Sequence, residues 1–295
     1  MPKPKRSGSG SEMAGPATVQ ARGAAIPALG LGTWQLRGDD CSAAVKTALA
    51  AGYRHIDTAA MYGNEEAVGA GLKASGISRD EVFVTTKVWY EDLAPADLRR
   101  SAEASLKRLG LSRVDLLLIH WPNAGIPLPG SIRALCGVKR AGLAHHVGVA
   151  NFTVRLLDEA VAAADEPIAA NQCEYHPYLD QRAVLSACRR HGVAFISYCP
   201  LGKAQVLGEP AIQATATAHG RTPAQIVLRW HLQQGVAAIP KSGKPPPHRG
   251  ELRRLRFRAC RGRDGANFRS RPKQRTHGGA ILVAGLGLIL TRAAR

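Results

Sequence analysis

No C-x-x-C pair occurs among the six cysteines, Cys41, Cys136, Cys173, Cys188, Cys199 and Cys260. Scattered in this way they read as small buried hydrophobes of a reducing compartment, not as a disulfide framework or a thiolate metal site. Long apolar runs are also wanting. The run "AILVAGLGLIL", Ala280–Leu290, holds eleven residues, whereas a membrane-spanning helix needs about 20. The opening "MPKPKRSGSGSE" has positive charge with no apolar stretch behind it, which argues against a secretory signal. It reads as a flexible extension over residues 1–16, with Met13 as an alternative start. A soluble, cytoplasmic protein with no membrane partner is expected.

Acidic residues are scarce at one end only. The net charge is +18, but Lys241–Arg295 carries 15 of the 40 Lys and Arg against 2 of the 22 Asp and Glu. The preceding 240 residues therefore balance to +5. Basicity is a property of the tail, and aromatic residues make up only 5% of the chain. No aromatic-interleaved basic face and no finger motif accompanies the charge, so no nucleic-acid partner is expected.

What the chain does contain is alternation. Eight short β-rich runs recur: "LGLGT", "YRHID", "VFVTTK", "VDLLLIH", "AHHVGVAN", "PIAANQCE", "VAFISY" and "GVAAIP". Between them lie amphipathic stretches such as "CSAAVKTALAAG", "PADLRRSAEASLKRLG" and "RAVLSACRRHG", the last closed by a glycine cap. Nearly continuous apolar strands alternating with helices imply a parallel sheet covered on its faces. The fold class is α/β, and eight units predict a closed (β/α)8 TIM barrel over residues 17–242. A doubly wound open sheet is the alternative, but "LGLGTW" lacks the third glycine of a dinucleotide fingerprint. The upstream "TVQARGAAIPAL" suits a small hairpin turning at Arg22-Gly23 and closing the barrel floor.

Barrel chemistry belongs at the C-terminal ends of the strands. Those positions hold Asp57, Tyr62, Lys87, His120, Asn151, Gln172, Glu174, Tyr198, Lys241 and Ser242. Each has an ordinary reading: Asp57 as a cap, Tyr62 as a packing residue, Lys87 as a snorkelling lysine, His120 as a hydrogen-bonded structural histidine. Together, an acid, a phenol, an amine and an imidazole on successive strand mouths favour proton chemistry. A phenol with a pKa of about 10 is a weak acid at neutral pH. A neighbouring ammonium favours the phenolate, and a carboxylate keeps that ammonium charged and aimed. Tyr62 can therefore serve as general acid with Lys87 and Asp57 behind it, while His120 orients a carbonyl oxygen. No placed Ser or Cys nucleophile and no metal-ligand spacing is present, so no metal is expected. Carbonyl polarisation remains, and it needs an electron source that these side chains lack.

The ordered series "GLGTW", "AGYRHIDTAAMYGNE", "TTKVW", "LLLIHWP", "VGVANF", "NQCEYHP", "SYCPLG" and "AIPKS" resembles the aldo-keto reductases from about Ala25 to Ser242. The nearest likeness is to bacterial 2,5-diketo-D-gluconate reductase-like members. The resemblance implies NADPH-dependent reduction of small aldehydes and ketones by a monomeric barrel. It implies Asp57, Tyr62, Lys87 and His120 as the catalytic tetrad. It also implies Asn151 and Gln172 on the nicotinamide carboxamide, with Tyr198 as the ring platform. Leu201 and Gly202 would lie on the pyrophosphate, Lys241 and Ser242 on the adenosine 2′-phosphate. Trp34, Trp89 and Trp121 would line the substrate mouth. Two departures are mild: Ala150 and Cys199 stand where the family usually has serine.

The resemblance stops at a seam. After Ser242 the chain reads "GKPPPHRGELRRLRFRAC", whose prolines cannot continue a helix. Read one base later, codons for "ELRRLRFRAC" can encode Asn-Phe-Asp-Val-Phe-Asp-Phe-Glu-Leu, which resembles the missing family segment. A reading-frame slip within Pro245–Pro247 is expected, leaving residues 243–295 as an aberrant basic tail and the eighth helix replaced. The alternative function follows: a catalytically impaired or non-catalytic nucleotide-binding barrel.

Overall fold

The structure, a computed structural model, describes residues 17–241 and two short strands further on. The first elements are β1, Thr18–Ala21, and β2, Ala24–Pro27, an antiparallel hairpin. Its two-residue turn puts Arg22 at φ 48° and Gly23 at φ 85°. A tight hairpin turn of this hand requires left-handed backbone at both centres, and glycine accepts it without strain. The expected turn at Arg22-Gly23 is in place.

The barrel strands are β3 Leu31–Gly32, β4 His55–Asp57, β5 Phe83–Val88, β6 Val114–Ile119, β7 Ala144–Ala150, β8 Ile168–Glu174, β9 Ala194–Tyr198 and β10 Ala237–Ala238. All neighbours pair in parallel, in strict sequence order. A doubly wound sheet would reverse its order midway; this one does not. Closure comes from the ends. Gly30 N–H donates to the Ala238 carbonyl at 2.9 Å, Gly32 N–H to the Pro240 carbonyl at 3.0 Å, and Ala238 N–H to the Ala28 carbonyl at 2.9 Å. A β-carbon on Gly32 would lie 2.8 Å from the Ile239 carbonyl oxygen, so the seam closes because that position has no side chain.

The helices are α1 Gly38–Ala50, α2 Glu65–Ala74, α3 Pro95–Leu109, α4 Leu128–Arg140, α5 Val154–Ala163, α6 Arg182–His191, α7 Pro210–His219 and α8 Pro223–Gln233. Local chemistry explains their ends. α3 opens on a proline and closes on Gly110 at φ 66°, with Lys107 and Arg108 in the last turn facing the negative helix end. α6 closes on Gly192 at φ 64°, as its sequence predicts. α8 starts with a reciprocal Thr222–Gln225 capping box. Where a single helix was expected between the last two strands there are two, α7 and α8, behind a 3-10 segment Gly202–Gly208.

Apolar residues divide into two main layers. One lies between strands and helices, around Leu98, Leu117, Ile119, Ile132 and Leu157. The other fills the barrel: Leu116, Leu118, Ala169, Ala170, Ile196 and Ile239 pack on Ala21, Ala24 and Ile26 of the hairpin. The hairpin therefore plugs the N-terminal end and leaves the opposite mouth for chemistry. Cys41, Cys136, Cys173 and Cys188 are buried free thiols, as expected, but Cys199 is only half-buried. The expectations for Ser242, Cys260, the N-terminal extension and the reading-frame seam lie outside the described residues. Within "AILVAGLGLIL" only β11, Leu282–Val283, and β12, Leu288–Ile289, are described, as an antiparallel pair. Among the described residues no helix is long and apolar enough to cross a membrane.

Candidate active site

Three consecutive strand mouths bring Asp57, Tyr62, Lys87 and His120 together. Asp57 is the last residue of β4, Lys87 lies near the end of β5, and His120 follows β6 directly. Tyr62 ends a 3-10 turn, Ala60–Tyr62, that Gly63 terminates at φ 60°. The Lys87 ammonium donates to Asp57 Oδ1 at 2.5 Å, to the Thr58 carbonyl at 2.8 Å and to Tyr62 Oη at 3.4 Å. It also lies 5.0 Å from the centre of the Tyr62 ring. An ammonium this enclosed needs such partners, and all three of its protons have one.

Electrostatics refine the expectation for Tyr62. Burial raises its pKa, the Lys87 charge lowers it, and burial wins, so the phenol sits above its ordinary value. Sequence reasoning weighs the ammonium and has no measure of burial. The balance keeps the proton on Tyr62 at neutral pH, with the Lys87 ammonium 3.4 Å from its oxygen. For Lys87 burial pulls downward, but Asp57 and Tyr62 together outweigh it and hold the amine charged. Burial, helped by the Lys87 charge, puts His120 well below the usual imidazole value. His120 is thus a neutral ring, and its buried Nδ1 has no hydrogen-bond partner.

Rings form a wall beside this relay. Trp34 packs on Tyr62 at 4.8 Å, Tyr62 meets His120 edge-on at 5.6 Å, and His120 meets Trp89 at 5.1 Å. Trp34 remains 40% exposed, on the open side of the mouth. Trp121, next after His120, is half-buried.

The next strands supply amides. Asn151, just past β7 at φ 63°, donates to the His120 carbonyl at 2.9 Å and accepts from Tyr198 Oη at 2.9 Å. Gln172 on β8 donates to Asp57 Oδ2 at 2.7 Å. Burial first, then the Glu174 charge, raises the Tyr198 phenol well above its ordinary value, so it stays a donor. Leu201 and Gly202 follow β9 where the backbone runs left-handed through Gly202, Lys203 and Ala204, at φ 50°, 51° and 69°. Lys241 follows β10 and is exposed, donating to Gln35 Oε1 at 3.4 Å.

Sequence reasoning missed two contributors. Thr58 acts through a main-chain carbonyl, which leaves no side-chain signature. Asn64 is buried and ties three segments: it accepts from Thr58 Oγ1 at 2.8 Å and donates to the carbonyls of Thr33 at 2.9 Å and Leu36 at 3.1 Å. Its place in "AMYGNE", directly after the Tyr62 turn, was the available signal.

The sequence profile of the aldo/keto reductase family matches residues 28–255, somewhat past the seam at Ser242. The chain belongs to the aldo/keto reductase family. As an aldo-keto reductase it is an oxidoreductase built on a TIM barrel. It is 43% identical to methylglyoxal reductase DkgB of Escherichia coli O157:H7 over 223 residues, covering 75% of this chain and 84% of that one. It is also 43% identical to an aldo-keto reductase of Mycolicibacterium smegmatis over 221 residues, 75% of this chain and 78% of the other. A crystal structure provisionally named 2,5-diketo-D-gluconic acid reductase B superposes with a TM-score of 0.83 at 38% identity, covering 92% of this chain and 95% of the other. An aldo-keto reductase crystallised with NADPH superposes with a TM-score of 0.76 at 29% identity, covering 84% of each.

Proposed function

We propose that this aldo-keto reductase uses NADPH to reduce small aldehydes and ketones, with Tyr62 as the proton donor. The observation that carries the reading is the enclosed Asp57–Lys87–Tyr62 chain, at 2.5 Å and 3.4 Å, opening beside a neutral His120. NADPH supplies the hydride that no side chain here can provide. The donor set fits such a nucleotide. The Gln172 and Asn151 carboxamides are each able to pair with another carboxamide; Gln172 holds Asp57 of the relay, and Asn151 pairs with the His120 main-chain carbonyl and Tyr198 beside it. The Tyr198 ring stands beside them, and Lys241 puts a cation at the rim where the last strand ends. Leu201 and Gly202 would lie along the pyrophosphate, and Ser242 beside Lys241 on the 2′-phosphate.

His120 aims the substrate carbonyl oxygen at the Tyr62 hydroxyl, and the proton passes from Oη to that oxygen. The phenolate left behind is stabilised by Lys87, whose charge Asp57 maintains. Trp34, Trp89 and Trp121 exclude water from the mouth and favour compact substrates. Methylglyoxal, on which the Escherichia coli relative is named as acting, is the first substrate to try. The test is loss of NADPH absorbance with methylglyoxal. Turnover that disappears in Tyr62→Phe while the melting temperature holds supports the reading; undiminished turnover in Tyr62→Phe refutes it.

A second reading, an impaired nucleotide-binding barrel, is favoured by one observation. Basic residues outnumber acidic ones 15 to 2 from Lys241 onward, unlike the balanced barrel, which we read as residues 17–242 followed by an aberrant tail. Tight NADPH binding without turnover would establish it. Sequencing the codons for Pro245–Pro247 tests the slip, which a gene without a cytosine run there would rule out.

A further inference from the structure

The Asp57 carboxylate is gripped from both sides of the barrel. Oδ1 takes the Lys87 ammonium at 2.5 Å, and Oδ2 takes the Gln172 amide at 2.7 Å, from a strand 115 residues further on. Asp57 and Lys87 are each 1% exposed and Gln172 is 2% exposed, so water does not compete for these contacts. Asn151, the other amide at this mouth, has no such link: it pairs with the His120 carbonyl and Tyr198. The two amides are therefore not equivalent. One is wired to the proton relay and the other is not.

We propose that Gln172 is a positioning residue of the proton relay, holding Asp57 and through it setting how firmly Tyr62 keeps its proton. A ligand carboxamide that recruits the same amide then retunes the acid as it binds. The contact itself does not depend on the reductase reading, although its use in catalysis rests on it.

The physical argument is charge dilution. A hydrogen bond donated to a carboxylate stabilises its negative form and spreads its charge. Without Gln172, Oδ2 is left buried and unpaired, and the full carboxylate field falls on Lys87 and Tyr62. A stronger negative field disfavours the phenolate, so Tyr62 holds its proton to higher pH. The groups facing Tyr62 are Asp57 from β4, Lys87 from β5, the His120 ring after β6, and Tyr198 and Cys199 around the end of β9. Lys87 is the cation among them, so anything that changes the Asp57–Lys87 balance is read directly by the phenol.

The experiment uses full-length protein without nucleotide. Tyrosinate absorbance is titrated in wild type, Gln172→Met and Gln172→Leu, and the signal of Tyr62 is isolated by subtracting a Tyr62→Phe version of each. The expected result is a Tyr62 midpoint displaced to higher pH in both apolar variants. Unchanged midpoints overturn the proposal. Should one variant fail to fold by circular dichroism, the other decides. Kinetics give an independent arm: the alkaline limb of kcat moves upward in the variants together with any change in KM for NADPH. A weaker KM with the limb unmoved makes Gln172 a nucleotide contact only, and overturns the coupling. A wild-type protein that consumes no NADPH would count against the reductase reading, and the nucleotide-free titration would still decide this one.

Discussion

Lys87 and Asp57 form an ion pair at 2.5 Å, with side chains 1% and 2% exposed. Burying two charges is unfavourable unless they meet with good geometry and their remaining valences are filled. Here Thr58, Tyr62 and Gln172 fill them. The pair is therefore a costly arrangement whose proposed use is its effect on the neighbouring phenol.

Breaking one side of the pair exposes that cost. Lys87→Met leaves a buried carboxylate without its cation, a loss of roughly 3–5 kcal/mol. The double variant Lys87→Met/Asp57→Asn should recover much of the stability and none of the turnover. Urea unfolding of the two proteins, with NADPH consumption alongside, checks this. A single variant as stable as wild type would show the pair to be energetically idle.

Acid stability should follow buried neutral histidines. Burial holds His231 at about 4 instead of 6.5, and His55 and His120 are also lowered, first by burial. Each is neutral when folded and protonates more readily when unfolded. The unfolded chain thus gains protons first as pH falls, and stability is lost from about 6.5 downward. His231 alone is worth about 3 kcal/mol over the interval from 6.5 to about 4. Denaturation midpoints of His231→Gln should fall less steeply over this window. A slope equal to wild type would exclude His231 as a source.

Lys241 should separate the two nicotinamide nucleotides if it meets the 2′-phosphate as proposed. A charge-assisted contact to a phosphate is worth roughly 1.5–3 kcal/mol. Lys241→Met should therefore weaken NADPH by about tenfold or more and leave NADH nearly unaffected. Fluorescence titration with both nucleotides measures it. Equal losses for the two would place Lys241 away from the 2′-phosphate.

The floor hairpin should affect stability alone. Gly23 is at φ 85°, and a β-carbon there would meet open space, so Gly23→Ala costs only backbone strain, about 1 kcal/mol. It should lower the melting temperature by a few degrees and leave kcat unchanged, since the hairpin closes the end opposite the tetrad. A fall in kcat would show that the floor communicates with the mouth.

Much of this architecture could be read from residue order. Parallel strands buried on both faces must be apolar throughout, so "VDLLLIH" and "VAFISY" announced themselves, and the helix between Pro95 and Gly110 carried its own start and stop signals. Polar residues in such strands are costly, which is why Asp57, Lys87, Gln172 and His120 stood out at the mouths. The extra helix before β10 did not stand out, because "PAIQATATAHG" has no strong apolar stripe.

By itself, then, the sequence determined the number and order of the strands, the turn at Arg22-Gly23 and the residue types at each strand end. These are local properties: a chain segment carries its own periodicity and its own turn chemistry. Tertiary structure alone decided that burial outweighs Lys87 at the Tyr62 phenol, that Thr58 lends a carbonyl, and that Gln172 reaches across to Asp57. Each depends on how deeply a group is enclosed and which distant strand faces it. Desolvation and direction are properties of the closed barrel, and no segment of the chain possesses them before closure.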